Sequence, residues 1–133
     1  MTVAKTTVLV LDCAEPERLA HFYAALLGAE TGPADGDPDL VLVNGGGTLL
    51  GIRRDRGHAP ASWPRPEDSQ QAHLRILVAP GDLDEAEREA VGLGARPVTA
   101  TQEGEVALDD RTDLRRYTDP AGHPFVLVAT PLP

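Results

Sequence analysis

The sequence predicts an α+β fold of two βαβββ modules, and an internal repeat is the main reason. Leu27-Gly28-Ala29 recurs as Leu93-Gly94-Ala95, and a shift of 65 residues places Val8 on His73. Each half shows a strand, an acidic-capped helix that stops at glycine, and further strands. One βαβββ unit leaves a sheet face bare. Two copies side by side therefore predict a curved eight-stranded mixed sheet around a concave cavity, with the helices outside.

Length and charge narrow the class of protein. The 133 residues suggest one domain spanning 1–133, with module one at about 5–56, a linker at about 57–70 and module two at about 71–130. The net charge of −9 argues against nucleic acid or an anionic membrane as a partner. No apolar run reaches the roughly 20 residues of a membrane span, and no signal peptide is evident. We therefore expect a cytoplasmic protein.

Module one begins with a β-branched strand at 6–12, on which Val8, Val10 and Asp12 share a face. A helix follows, because Pro16 suits a first helical position and Gly28 suits a helix end. Its predicted buried stripe consists of Leu19, Phe22, Tyr23 and Leu26. Residues 31–38 predict a loop. Strands at 40–43 and 48–54 follow, joined by a turn at 44–47 in which the Asn44-Gly45 step favours a tight hairpin.

Module two begins with the most informative strand, 71–79. Its alternation places His73, Arg75 and Leu77 on one face, and an aliphatic set on the other. Asp82 and Glu85 predict a capping box for a helix that ends at Gly94. Strands are expected at 95–100, 114–118 and 125–129, with a turn at 119–122 and a short strand at 106–108.

Three segments resemble the vicinal oxygen chelate superfamily, which includes glyoxalase I, extradiol dioxygenases and bleomycin- and fosfomycin-resistance proteins. They are the stretch 20–28, a histidine that opens the second module (His73), and the Tyr-Thr-Asp-Pro-Ala-Gly-His-Pro-Phe stretch at 117–125. The run from Trp63 through Leu74 is most similar to the bacterial glyoxalase-like branch. The resemblance covers nearly the whole chain and bears on the fold more than on the activity.

The resemblance implies metal ligands at the start of the first strand and in the last strand of each module. Carried over, these positions fall on Val8, His73, Val126 and the segment 51–54, which has neither histidine nor carboxylate. Only His73 can donate. Metals of this class need about three protein ligands, so we expect no metal and no other cofactor.

Two functions follow as hypotheses. The first is a metal-independent binding protein whose cavity holds a small molecule. Its expected ligand-binding residues are Asp12, Arg75, Trp63, Tyr117, Val10, Leu77 and Val126. The second is an isomerase, lyase or cyclase that uses His73 as its general base, with or without a metal. A non-enzymatic subunit with a closed cavity is a third, weaker possibility.

Several residues allow two interpretations. Asp12 and Arg75 can bind ligand or form a salt bridge with each other. Trp63 can cap the core or a dimer contact, or it can stack on a ligand. Tyr117 can line the site, although a structural hydroxyl bond is favoured. Cys13 precedes a helix N-terminus but has no basic neighbour, which disfavours a nucleophile. Because open sheet edges are usually covered, and because family members pair, we also expect a homodimer.

Overall fold

The computed structural model describes residues 3–57, 72–98 and 113–130. The chain forms two compact units, residues 1–59 and 60–133. Each unit is a βαβββ module with one four-stranded mixed sheet and one helix, which confirms the predicted α+β fold class. No helix in these described ranges is long and apolar enough to cross a membrane.

Module one contains four strands and one helix. They are β1 (Leu9–Cys13), α1 (Pro16–Leu27), β2 (Glu30–Ala34), β3 (Asp37–Gly45) and β4 (Thr48–Arg54). The strand order is β1-β4-β3-β2, in which β1 and β4 run parallel and the other neighbours antiparallel. The parallel pair needs a long crossover, which α1 and the two intervening strands provide.

Helix α1 follows its sequence signals closely. Pro16 is its first residue, and Gly28 ends it in the left-handed conformation with φ of 67°. Leu19, Phe22 and Tyr23 each keep 3% or less of their surface exposed and form part of the core, whereas Leu26, the fourth residue of the predicted stripe, is half-buried. This helix covers one face of its sheet. In each module, the sheet face turned away from that module's own helix is called the helix-free face.

The loop predicted at 31–38 is wrong, because most of it belongs to β2 and to the start of β3. Gly32 and Pro33 suggested a break in the chain. However, β2 is an edge strand that pairs only with β3, and a proline that cannot donate a hydrogen bond is tolerated there.

The hairpin turn between β3 and β4 lies within the predicted turn at 44–47 but occupies only its second half. Asn44 and Gly45 still pair with β4, and the turn itself is Gly46-Gly47. Both glycines have positive φ, 61° and 82°, as a two-residue hairpin with the favoured twist requires. A Cβ on Gly46 would lie 2.7 Å from the backbone oxygen of Leu27, so this turn sits against the end of α1.

Module two repeats the pattern of module one. Its elements are β5 (Leu74–Val78), α2 (Leu83–Leu93), β6 (Arg96–Pro97), β7 (Leu114–Thr118) and β8 (Pro124–Ala129), in the order β5-β8-β7-β6. The five-residue strands β1 and β5 start 65 residues apart, so Val8 and His73 each directly precede the first strand of a module. The predicted repeat is confirmed at this level. The short strand expected at 106–108 lies outside the described residues.

Helix α2 has the predicted end at Gly94, but its capping box does not form. Asp82 occupies the N-cap position without a side-chain hydrogen bond. Its ψ of 3° lies outside the extended region in which an N-cap carboxylate reaches the first turn. Glu85 forms an ion pair with Arg88 instead.

Candidate functional site

Strand alternation places Arg75, Leu77 and Val126 on the helix-free face of module two, and Tyr117 on the opposite face. The opposite face is identified by Tyr117, whose hydroxyl bonds Glu87 of α2, and by Arg115, which pairs with Asp84 of α2. Leu74 is in register with Phe125, the stacking partner of Tyr117, so Arg75 and Leu77 point away from α2. Both are exposed.

His73 directly precedes β5 and is exposed. Within the ranges that the structure describes, it forms no hydrogen bond or ion pair. A general base is normally oriented by a second group, and none is seen in those ranges.

The helix-free face of module one is apolar at one end and ion-paired at the other. Gly51 lies under Val8, Val10 and Leu40, whose nearest carbons are 3.1–3.3 Å from the place where a Cβ would be. At the other end, the Nε of Arg53 donates to a carboxylate oxygen of Asp12 at 2.9 Å.

That hydrogen bond, together with the charge of Asp12, raises the pKa of Arg53 above its ordinary value. The partner that the structure gives to Asp12 is thus Arg53 of its own sheet. A carboxylate already paired in this way is less available to a ligand amine.

Register sharpens the positions at which the family resemblance implies metal ligands. Val126 is in register with Arg75 of β5, and Gly51 is in register with Val10 of β1. Gly51 is therefore the module-one counterpart of Val126, a correspondence that the sequence narrowed only to 51–54. Neither residue has a side-chain donor, and Val8 has none either.

The residues at these positions do not fit a divalent metal. Across 3–57, 72–98 and 113–130, no three histidine, cysteine or carboxylate side chains come together in a group that could hold one. A single imidazole, His73, cannot supply the three or so ligands that such ions take from proteins.

Tyr117 lies between the sheet and α2 rather than on the helix-free face. It is 0% exposed, stacks on Phe125 with ring centroids 5.3 Å apart, and donates its hydroxyl hydrogen bond to Glu87 at 2.7 Å. Burial, then the bond to Glu87, raises the pKa of Tyr117 above its ordinary value near 10. Its role is the structural hydroxyl bond that the sequence favoured, and a phenol held there is not available to a ligand.

Tyr117→Phe is expected to lower the free energy of unfolding by about 1–2 kcal/mol at pH 8, because it removes a hydrogen bond to a charged group. The folded-state pKa is raised, so this stabilisation is fully present below pH ~10. It should shrink above pH ~10, where the unfolded chain ionises its phenol first. Urea denaturation of both proteins at pH 8 and at pH ~11 measures this. A difference that stays constant over this range contradicts the assignment.

The remaining candidates lie away from the helix-free faces or outside the described chain. Cys13 is 2% exposed and belongs to the helix side of β1. His123 packs its Nδ1 3.0 Å from a carboxylate oxygen of Asp119 in the β7–β8 turn. His21 lines a shallow groove beside α1 and β2. Trp63 lies outside the described residues, so its role at a rim or interface stays a prediction.

Sequence reasoning missed three arginines. Arg53 is the partner of Asp12, and Arg116 and Arg96 share the face of Arg75. Alternation within β4 and β7 assigns a side to Arg53 and Arg116. Their neighbours across the sheet follow only from the strand register, which the sequence alone does not supply.

Comparison with known proteins agrees with this fold. The glyoxalase-like domain model matches residues 8–128, and the chain therefore belongs to the glyoxalase-like domain family, within the vicinal oxygen chelate superfamily. No curated protein matches the chain.

Solved structures match over nearly the full length at low identity. A variant of the fosfomycin resistance protein FosX from Listeria monocytogenes, complexed with Mn(II) and 1S,2S-dihydroxypropylphosphonic acid, has a TM-score of 0.66 at 15% identity, covering 98% of this chain and 96% of that one. FosX from Mesorhizobium loti gives 0.65 at 13%, with 98% and 96% covered. The hypothetical protein SA1046 from S. aureus gives 0.65 at 16%, with 97% and 100% covered. At these identities the likeness concerns the fold alone.

Proposed function

We propose that this chain is a cytoplasmic small-molecule-binding protein of the glyoxalase-like family, and that it holds its ligand on the helix-free sheet face of one of its modules without a metal. The observation that carries the proposal is the apolar surface on the helix-free faces. Val8, Val10 and Leu77 are 39%, 43% and 36% exposed there, although residues of their type are usually buried. Leu9, on the helix side of β1, and Val91, on α2, are exposed to a similar degree, at 47% and 42%, so the feature that supports binding is the grouping of Val8 and Val10 over Gly51.

Metal-free binding is preferred to metal catalysis because of the donor set. The FosX variant from Listeria is a complex with Mn(II) and a phosphonic acid. In this chain, three of the four corresponding positions carry valine or glycine, and the fourth is His73. The surface that remains is suited to contact with an apolar body, supplemented by a few charged groups.

Binding is also preferred to catalysis by His73 alone. The histidine is accessible to a substrate, which keeps the enzyme as a second hypothesis. However, the described part of the chain gives it no orienting group, and the Asp12 carboxylate is paired with Arg53. The homodimer expected from the sequence remains part of this proposal, since β1, β2, β5 and β6 are sheet edges that each pair on one side only among the strands that the structure describes.

N-phenyl-1-naphthylamine, a neutral dye that fluoresces in apolar surroundings, tests the proposal. We expect saturable binding to the purified full-length protein. Val10→Gln on module one or Leu77→Gln on module two should weaken it about fivefold or more, because each removes an apolar contact surface. The variant that weakens binding identifies the module that holds the dye. Val91→Gln is the matched control, since Val91 is 42% exposed but lies on α2. Treatment with EDTA should change neither affinity nor stoichiometry.

Three results would count against the proposal. Binding that never saturates would indicate nonspecific adsorption of the dye. An equal effect of Val91→Gln would show that the dye does not bind specifically to the helix-free faces. Loss of binding in EDTA, restored by Mn(II) or Zn(II), would overturn the metal-free part.

A further inference from the structure

The helix-free face of module two is basic in a strongly acidic chain. Strand register shows which residues of β5, β6 and β7 share this face with Val126 and Val128 of β8. They are Arg75, Leu77, Arg96, Leu114, Arg116 and Thr118. Three of these side chains are arginines. None of these positions carries a carboxylate, although the whole chain has a net charge of −9. Four acidic residues of this module lie on α2, at positions 84, 85, 87 and 89, away from this face of the sheet.

Two of the arginines lie in one row across the sheet. Val126 of β8 is in register with Arg75 on one side and with Arg116 on the other. Neighbouring strands are about 4.8 Å apart, so the two arginine Cα atoms are separated by roughly 10 Å with a valine between them. Two long side chains that start at this separation can converge over the valine on a single group.

In this row the arginine side chains are accessible to solvent, and the valine between them is buried. Val126 keeps only 5% of its surface exposed, while Arg75 is exposed and Arg116 is half-buried. The Arg75 side chain forms no hydrogen bond or ion pair within the part of the chain that the structure describes. The Arg116 side chain or backbone does have an interaction, but a guanidinium carries five donors and can serve more than one partner.

A planar guanidinium recognises oxyanions by paired hydrogen bonds, and two guanidinium groups can grip one oxyanion from two sides. Arg96 on the same face adds attraction without needing contact. Leu77 lies two residues along β5 from Arg75, on the same side, and offers apolar surface to the rest of a ligand.

We propose that Arg75 and Arg116 form an anion-binding site over Val126, and that the ligand is a small organic molecule with a carboxylate or phosphonate group attached to an apolar body. The inference rests on the proposed function, which supplies the apolar part of the ligand, and adds that the ligand carries a negative charge. The anionic group lies above Val126, whose side chain offers no hydrogen-bond donor, and the two arginine side chains donate the hydrogen bonds that bind it.

Benzylphosphonate, benzoate and the neutral benzyl alcohol are the probes. They are titrated into ¹⁵N-labelled full-length protein, and the arginine Nε–H signals are followed by NMR. Benzylphosphonate or benzoate, or both, should shift the Arg75 and Arg116 signals in a saturable way, and benzyl alcohol should not. The tighter of the two acids identifies the preferred oxyanion. Binding should weaken as salt increases.

Arg75→Gln and Arg116→Gln should each weaken binding of the anionic probe at least about tenfold, because each removes charge-assisted hydrogen bonds. Arg88→Gln, which removes the same charge from an exposed ion pair on α2, is the matched control and should leave affinity unchanged. If Arg116→Gln unfolds the protein, the wild-type Nε shifts and Arg75→Gln still decide the question.

The outcomes separate this inference from the proposed function. If the naphthylamine dye binds but neither acid shifts the Arg75 and Arg116 signals, the anion site is wrong and the apolar site stands. If Arg88→Gln weakens binding as much as Arg75→Gln does, the attraction is only general charge and the site is wrong. If neither the dye nor the acids bind, both proposals fail.

Discussion

Replacing Asp119 with alanine is expected to lower the free energy of unfolding by about 3–4 kcal/mol, because it orphans several donors in a buried turn. Asp119 is 1% exposed, and one carboxylate oxygen accepts the backbone N–H groups of Ala121 at 2.8 Å and His123 at 3.0 Å. The other oxygen lies 3.0 Å from the His123 ring. The turn between β7 and β8 is organised around this side chain.

Two variants complete the Asp119 test. Asp119→Asn retains one oxygen and should cost about half as much as the alanine variant. Glu85→Ala removes a carboxylate from an exposed ion pair and should change stability by about 0.5 kcal/mol or less. Urea denaturation gives the three values. An Asp119→Ala variant as stable as Glu85→Ala would show that the turn does not depend on the carboxylate.

Gly46→Ala is expected to cost about 3 kcal/mol, as backbone strain and a backbone clash combine. At φ of 61° the residue is left-handed, and a Cβ would lie 2.7 Å from the Leu27 oxygen, which belongs to the main chain and cannot rotate away.

Gly47→Ala is the matched control for Gly46→Ala. Gly47 is also left-handed, with φ of 82°, but beyond its chain neighbours no described atom lies within 4 Å of the point that its Cβ would occupy. It should therefore cost only about 1 kcal/mol, the backbone part. The difference between the two melting curves isolates the contact of the hairpin with the end of α1, and equal losses would exclude that contact.

Local signals predicted the fold well where they agreed with the tertiary structure. The Pro16 start and Gly28 end of α1, and strand β7, emerged as expected because each depends on residues close in sequence. Strand β2 was missed because Gly32 and Pro33 are strand breakers in general. They are tolerated here because β2 is at the edge of its sheet, which is a property of the whole sheet.

The face of the sheet on which a candidate residue lies could also be predicted from local pattern. Period-2 alternation correctly placed Val10 and Arg75 on the helix-free faces of their sheets. It could not assign Arg53 to Asp12, or bring Arg116 into a row with Arg75, because both depend on which strands become neighbours and in what register. Tyr117 was ambiguous for a related reason, since its partner Glu87 is 30 residues away on α2.

The buried position of Cys13 allows local unfolding of module one to be measured by thiol labelling. It is the single cysteine of the chain, 2% exposed at the end of β1, and residues 60–133 contain none. A thiol reagent can therefore react only when module one opens around this strand. When closing is faster than labelling, the ratio of the observed labelling rate to that of an unfolded thiol gives the opening free energy of module one alone. Of the two similar modules, only module one therefore contains a cysteine whose labelling rate reports its opening.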